Sequence, residues 1–159
     1  SPATFRMAAD VTEQGIDLDE ITDRLNRSSR PNRLDLMGYL LTKRRTRYNE
    51  LGAELMLLTL SDQKKFDYLS GESEGFVNLP LQTKHVRLSA LFTETTEGYV
   101  RVSLRSKRGF SANQLSQQFF NGGGHENAAG GRLYIPIKDV PAYFENAVRT
   151  FMEQMEGQA

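Results

Sequence analysis

The residues best suited to chemistry fall between positions 100 and 130. Gly122, Gly123 and Gly124 are followed by His125, Asn127, Ala128, Ala129 and Gly130. Three consecutive glycines free the backbone for positive φ and keep Cβ atoms away from a bound group, so successive N–H donors can converge on one concavity. Such a concavity suits a phosphate or a carboxylate. His125 adds an imidazole and Asn127 a side-chain amide. A flexible turn after a helix is the plainer alternative, because glycine punctuates loops of every kind. Upstream, Val100, Val102 and Leu104 alternate with Arg101, Ser103 and Arg105, which places the three polar residues on one face of a strand. An exposed sheet face would explain them alone; beside the glycine motif they become candidates for anion binding.

The elements that must position these groups follow from periodicity. Ser111-Ala112-Asn113-Gln114 has capping-box spacing and opens a helix with Leu115 and Phe119 on its apolar stripe, ending at Asn121-Gly122. A helix C-terminus repels anions, so binding there relies on loop N–H groups, His125 or the arginines. Ala128, Ala129 and Gly130 read as close packing leading into a strand from Arg132 to Ile137. Val86, Leu88, Ala90 and Phe92 mark a strand that turns at Glu97-Gly98 into the basic one. Glu54 to Leu60 is a continuous apolar run suited to a central strand covered on both faces, with a helix from Asp62 to Leu69 after it. A final helix capped by Asp139 carries Val140, Phe144, Val148, Phe151 and Met155 on one face.

Nearer the start, residues 4 to 14 and a second short segment from Asp17 or Asp19 form a helical hairpin broken at Gly15. Ser28-Ser29-Arg30-Pro31 marks a break. A long helix is expected from Asn32 toward Glu50, with Leu34, Met37, Leu40 and Leu41 on one face. Lys43, Arg44, Arg45 and Arg47 make the most basic cluster, which reads as a solvated helix end, with nucleic-acid contact as the alternative. His85 has no motif around it and reads as structural or exposed. The order of elements predicts an α/β (α+β) domain with a mixed sheet flanked by helices.

Composition narrows the partners. At 159 residues the chain can bury about 70% of its unfolded surface as one domain with an appendage. Twenty basic and 20 acidic residues cancel, so any nucleic-acid contact needs a local patch. The absence of cysteine removes disulfides, thiolate metal sites and cysteine nucleophiles. No apolar run reaches membrane-spanning length, and a cytoplasmic address is expected, with no membrane partner.

Gly122-Gly123-Gly124-His125-Glu126-Asn127-Ala128-Ala129-Gly130 closely resembles the G-G-G-H-x-x-A-A-G signature of the DHH-associated C-terminal domain of DHH-family phosphoesterases. Ser103-Leu104-Arg105-Ser106 resembles that family's S-L-R-S element, and residues 74 to 81, Glu-Gly-Phe-Val-Asn-Leu-Pro-Leu, resemble the entry motif of its oligoribonuclease and exopolyphosphatase-related branch. Residues 1–10 followed by Gly15-Ile16-Asp17 resemble the last helices of the catalytic DHH domain. The resemblance implies three segments: 1–29 from the catalytic domain, 30–50 as a linker helix, and 51–159 as the substrate-binding domain.

It further implies metal-dependent hydrolysis of short oligoribonucleotides or phosphorylated nucleotides. The divalent metals, commonly manganese, would be held upstream of Ser1, where no part of this chain reaches, so the chain alone is expected to be inactive. On that pattern Arg105 contacts phosphate oxygens, Gly122 to His125 supply further donors, Asn127 supports the loop, and Arg101 and Ser103 are second choices. Partners would be short single-stranded RNA or a phosphorylated nucleotide, the upstream domain, and in one alternative a second copy as a homodimer. Relatives keep other readings open: single-strand exonuclease, cyclic-dinucleotide phosphodiesterase, exopolyphosphatase or pyrophosphatase, and a non-catalytic RNA-binding or dimerising module such as that of alanyl-tRNA synthetases. Neutral charge and few available stacking aromatics argue against a long nucleic-acid groove.

Overall fold

The computed structural model describes residues 1–27 and 29–157. The chain divides into two compact units, residues 1–31 and 32 onward. The first holds α1 (Pro2–Glu13) and α2 (Leu18–Asn26), the latter capped by Asp17, whose carboxylate accepts from the Asp19 and Glu20 N–H groups. No residue of α1 is buried.

The second unit is a six-stranded sheet: β1 (Arg45–Tyr48), β2 (Ala53–Leu58), β3 (Leu88–Glu94), β4 (Val100–Ser106), β5 (Gly123–His125) and β6 (Ala128–Leu133). Its spatial order is β1-β2-β3-β4-β6-β5. Only β2 and β3 run parallel, which makes the sheet mixed, as expected. The helices are α3 (Pro31–Lys43), α4 (Leu60–Lys65), α5 (Ala112–Phe119) and α6 (Val140–Glu156), with a 3-10 segment at Phe76–Gln82.

Strand alternation divides the sheet's residues between two faces. One presents Leu55, Ala90, Phe92, Val102, Leu104 and Ala129 to α5 and α6, whose Leu115, Phe144, Val148 and Phe151 complete the larger core. The other presents Met56, Leu58 and Leu91 to α3 and the 3-10 segment, with Leu36, Leu40, Phe76 and Val77. This second cover lies over β2 and β3.

Five expectations are corrected. The helix from Asn32 stops at Lys43, and the remainder of the presumed linker is a strand paired to β2. Of the basic cluster, Lys43 does sit exposed at the helix end, but the three arginines are anchored. Arg44 bonds Asp62 through two 2.9 Å contacts, and Arg45 and Arg47 reach the buried Glu54 at 3.5 and 3.3 Å. The buried stripe of α3 is Leu36 and Leu40, while Leu34 is exposed. α4 begins two residues early because Thr59 caps it in a reciprocal box with Asp62, and it ends near Asp67 at φ 48°. Finally, the small residues Ala128, Ala129 and Gly130 do not lead into a strand; they are its first half.

Candidate functional site

β4 follows its alternation. Val100, Val102 and Leu104 are buried, while Arg101 is exposed and Ser103 and Arg105 are half-buried on the opposite face. The register extends that face across two more strands. Arg105 lies opposite Ala128, which lies opposite His125; Ser103 lies opposite Gly130; Arg101 lies opposite Arg132. Directly opposed residues project to the same side of a sheet. The β4–β6–β5 part of this face therefore carries Arg101, Arg105, Arg132 and His125 over a floor of Ser103, Ala128 and Gly130. Among the described residues none of the three arginines has a carboxylate partner. Among the described residues the Arg105 side chain donates to the carbonyl of Leu104 alone, at 2.9 Å.

The triple glycine behaves differently from a donor nest. Gly123 and Gly124 lie in the short edge strand β5, and two of the three N–H groups are already engaged: Gly122 donates to the Ser116 carbonyl at 3.3 Å and Gly124 to Asn113 Oδ1 at 2.9 Å. These positions require close backbone approach, and at Gly124 a positive φ of 158° as well. A Cβ on Gly122 would stand 1.9 Å from the Gly130 oxygen, and one on Gly124 would stand 2.5 Å from the Ala128 oxygen. One on Gly123 would meet Asn113 and Gln117 of α5 at 3.2 and 3.4 Å. The motif thus brings β5 against β6 and α5 and sets the place of His125.

Asn127 serves the same end. Its amide nitrogen lies 2.9 to 3.1 Å from Ser106 Oγ and the Lys107 and Phe110 carbonyls, which ties the β5–β6 turn to the β4–α5 connection. Beside it, the Glu126 carbonyl accepts from the Ala112 and Asn113 N–H groups, and the Glu126 carboxylate accepts from Ser111. His125, held between these anchors, is exposed. His85 is also exposed, and lines a different cavity with Arg47 and Gly52.

Sequence reasoning missed Arg132. Its alternation with Gly130 and Ala128 is legible once β6 is known to start at Ala128, but a start at Arg132 hides that pattern. Among the described residues no three His, Asp or Glu side chains converge to hold a metal ion. These residues do not fit the divalent-metal pair of the resembling family. No helix is long and apolar enough to cross a membrane among the described residues.

The profile of the DHHA1 domain matches residues 53–157. The bifunctional oligoribonuclease and PAP phosphatase NrnA of Thermus thermophilus is 32% identical over 133 residues, 84% of this chain and 38% of that protein. A probable bifunctional oligoribonuclease and PAP phosphatase NrnA of Streptococcus mutans is 32% identical over 94 residues, 59% of this chain and 30% of its own length. The chain therefore spans well under half of either relative. The crystal structure of an exopolyphosphatase-related protein from Bacteroides fragilis superposes with a TM-score of 0.90 at 37% identity, over 98% of this chain and 45% of that one. A pGpG-specific phosphodiesterase, PggH from Vibrio cholerae, shares the fold at a TM-score of 0.55 and 16% identity. With the profile spanning the whole of the sheet from β2 to the last helix, the chain belongs to the DHHA1 domain family of the DHH phosphoesterases.

Proposed function

We propose that this chain is the substrate-holding portion of a metal-dependent DHH-family phosphoesterase that hydrolyses short oligoribonucleotides or phosphorylated nucleotides in the cytoplasm. The observation that carries the reading is the face just described: three arginines without carboxylate partners beside an exposed histidine, over a floor of small residues. A guanidinium presents a planar fork of donors to two phosphate oxygens, which Arg105 offers beside the Ala128 floor. His125 adds a donor from the other side of that row. Gly130 and Ala128 let a ligand lie against the strand without meeting a long side chain.

This chain's part in the reaction is binding and orientation. Fixing the phosphate fixes the line of attack at phosphorus, and such positioning lowers the barrier by removing rotational and translational freedom beforehand. The divalent metal that the reaction would use, manganese in the family resembled, would be held by residues outside this chain.

The test is a calorimetric titration of the chain with 3′-phosphoadenosine 5′-phosphate and with a diribonucleotide. Arg105→Ala removes more than one charge-assisted hydrogen bond at about 1.5 to 3 kcal/mol each, so affinity should fall more than tenfold, about one hydrogen bond's worth at least. Arg105→Lys should recover only part, because an ammonium lacks the fork. Equal affinity in the alanine variant would sink the clamp.

A further inference from the structure

The basic face does not end at Arg101 and Arg132. Alternation carries it one step further, to Tyr99 before β4 and Tyr134 after β6. Their rings are 6.3 Å apart, and the Arg132 guanidinium lies over the Tyr99 ring at 4.7 Å. Tyr134 is 69% exposed. A cavity of about 260 Å³ opens beside the pair, lined in part by Gly98, Tyr99, Tyr134 and Pro136. The acid in its lining, Glu94, accepts from the Leu60 N–H at 2.8 Å.

Arg101 and Arg132 face each other directly across the β4–β6 ladder. Like charges so placed oppose strand pairing. Packing of the core gives no reason for the pair, since Arg101 and Arg132 are both exposed. An anionic ligand supplies one. The tyrosines next to them supply what phosphate alone does not use: flat apolar surface. Nucleobases stack on such rings, and arginines alongside neutralise the linking phosphates.

We infer that the Tyr99–Tyr134 end of the face is a second subsite, which stacks a base of a single-stranded oligonucleotide whose phosphate at the other end is held by Arg105 and His125. The inference rests on the phosphoesterase reading and deepens it: among the short oligoribonucleotides and phosphorylated nucleotides named there, it selects strands long enough to reach both ends of the face. From Arg105 to Tyr99 along β4 is six residues, about 20 Å of strand, the reach of a few extended nucleotides. Arg101 and Arg132 lie between the two ends, under the connecting backbone. Binding by this route draws on a local patch, consistent with a chain of zero formal charge.

The experiment is fluorescence anisotropy of the chain with labelled di-, penta- and heptauridylate, and with inorganic polyphosphate as a baseless polyanion. The pentamer should bind more tightly than the dimer. Tyr134→Ala should weaken the pentamer by at least about fivefold, the low end for one stacked base, with the dimer unchanged. Tyr134→Phe should bind as the wild type does, because the ring is retained. Loss of binding at both lengths in Arg105→Ala, with none at either length in Tyr134→Ala, overturns the stacking subsite and leaves the clamp standing. Wild-type binding by both variants sinks the clamp and the subsite together. Polyphosphate that matches the pentamer and shows the same Tyr134 dependence also overturns stacking.

Discussion

Arg105 and His125 occupy one cross-strand row of the sheet, with Ala128 alone between them. Two inter-strand steps separate their backbones, about 10 Å, too far for a direct hydrogen bond yet close enough for both side chains to reach one ligand. That relationship predicts a split result from a double-mutant cycle. In urea denaturation, Arg105→Ala and His125→Ala should add within about 0.5 kcal/mol, because they share no contact in the protein. In ligand titration their effects should not add, because both act on the same phosphate. Additive losses in binding would show that the two side chains do not serve a common group.

The glycines give a second contrast. Gly122→Ala places a methyl group within 1.9 Å of backbone that has nowhere to move, so it should cost about 3 kcal/mol or more and lower the melting temperature sharply. Gly130→Ala meets only the Val102 oxygen, at 3.4 Å, and should fold within about 1 kcal/mol of the wild type. Yet its methyl group would rise from the floor between Ser103 and the β5 strand. Calorimetry should therefore find a stable Gly130→Ala with weakened binding of 3′-phosphoadenosine 5′-phosphate. A Gly122→Ala protein as stable as the wild type would contradict the packing role.

Much of this was legible because β4 and the apolar run of β2 carry periodic signals strong enough to fix face and burial without tertiary information. The α6 stripe was equally plain from Val140 through Phe144 and Val148 to Phe151, all buried, whereas Met155, expected on the same face, is exposed and Asp139 makes no side-chain cap bond. The triple glycine was legible only in part: Gly124 does take a positive φ, 158°, but the close backbone approach at Gly122 was hidden for a physical reason. A glycine chosen for φ freedom and a glycine chosen because another backbone passes within van der Waals distance are identical in sequence, and only the Gly130 oxygen beside Gly122 distinguishes them. The basic cluster was hidden likewise, since its partners Glu54 and Asp62 are brought to it by the sheet and by the Thr59 cap.

The first unit should be the least protected part of the chain. Phe5 and Met7 on α1 are 79% and 68% exposed, and no residue of that helix is buried. A helix of 12 residues lacking a covered apolar face is marginal in water. Amides of α1 should exchange within the earliest time points of a hydrogen-exchange experiment, while Leu55 to Leu58 in β2 resist longest. Protection of α1 equal to that of β2 would be the opposite of this expectation.

The last prediction concerns Asp62, which is almost wholly buried beside Arg44. Burial alone would push its carboxyl up. The hydrogen bonds from Arg44, those from Thr59 and the charge of Arg44 together outweigh that effect, so the group lies below the ordinary carboxylate value. A depressed folded-state value means that the ionised carboxylate stabilises the fold above the unfolded value, about pH 4, and that this contribution is lost as pH falls through the lower folded one. At neutral pH, Arg44→Ala should cost about 2 kcal/mol, less than for a fully enclosed pair because the guanidinium is partly exposed. The deficit should narrow on acidification below about pH 4, since the wild type then loses the ionised partner that the variant never used well. Contacts of Arg44 with the Tyr39 ring, at 5.6 Å, do not titrate over this range and should leave a residual difference. Urea denaturation of both proteins at neutral pH and again near pH 3 measures the gap directly, and a gap that stays constant or widens in acid would remove the Asp62–Arg44 pair from the account of the fold's stability.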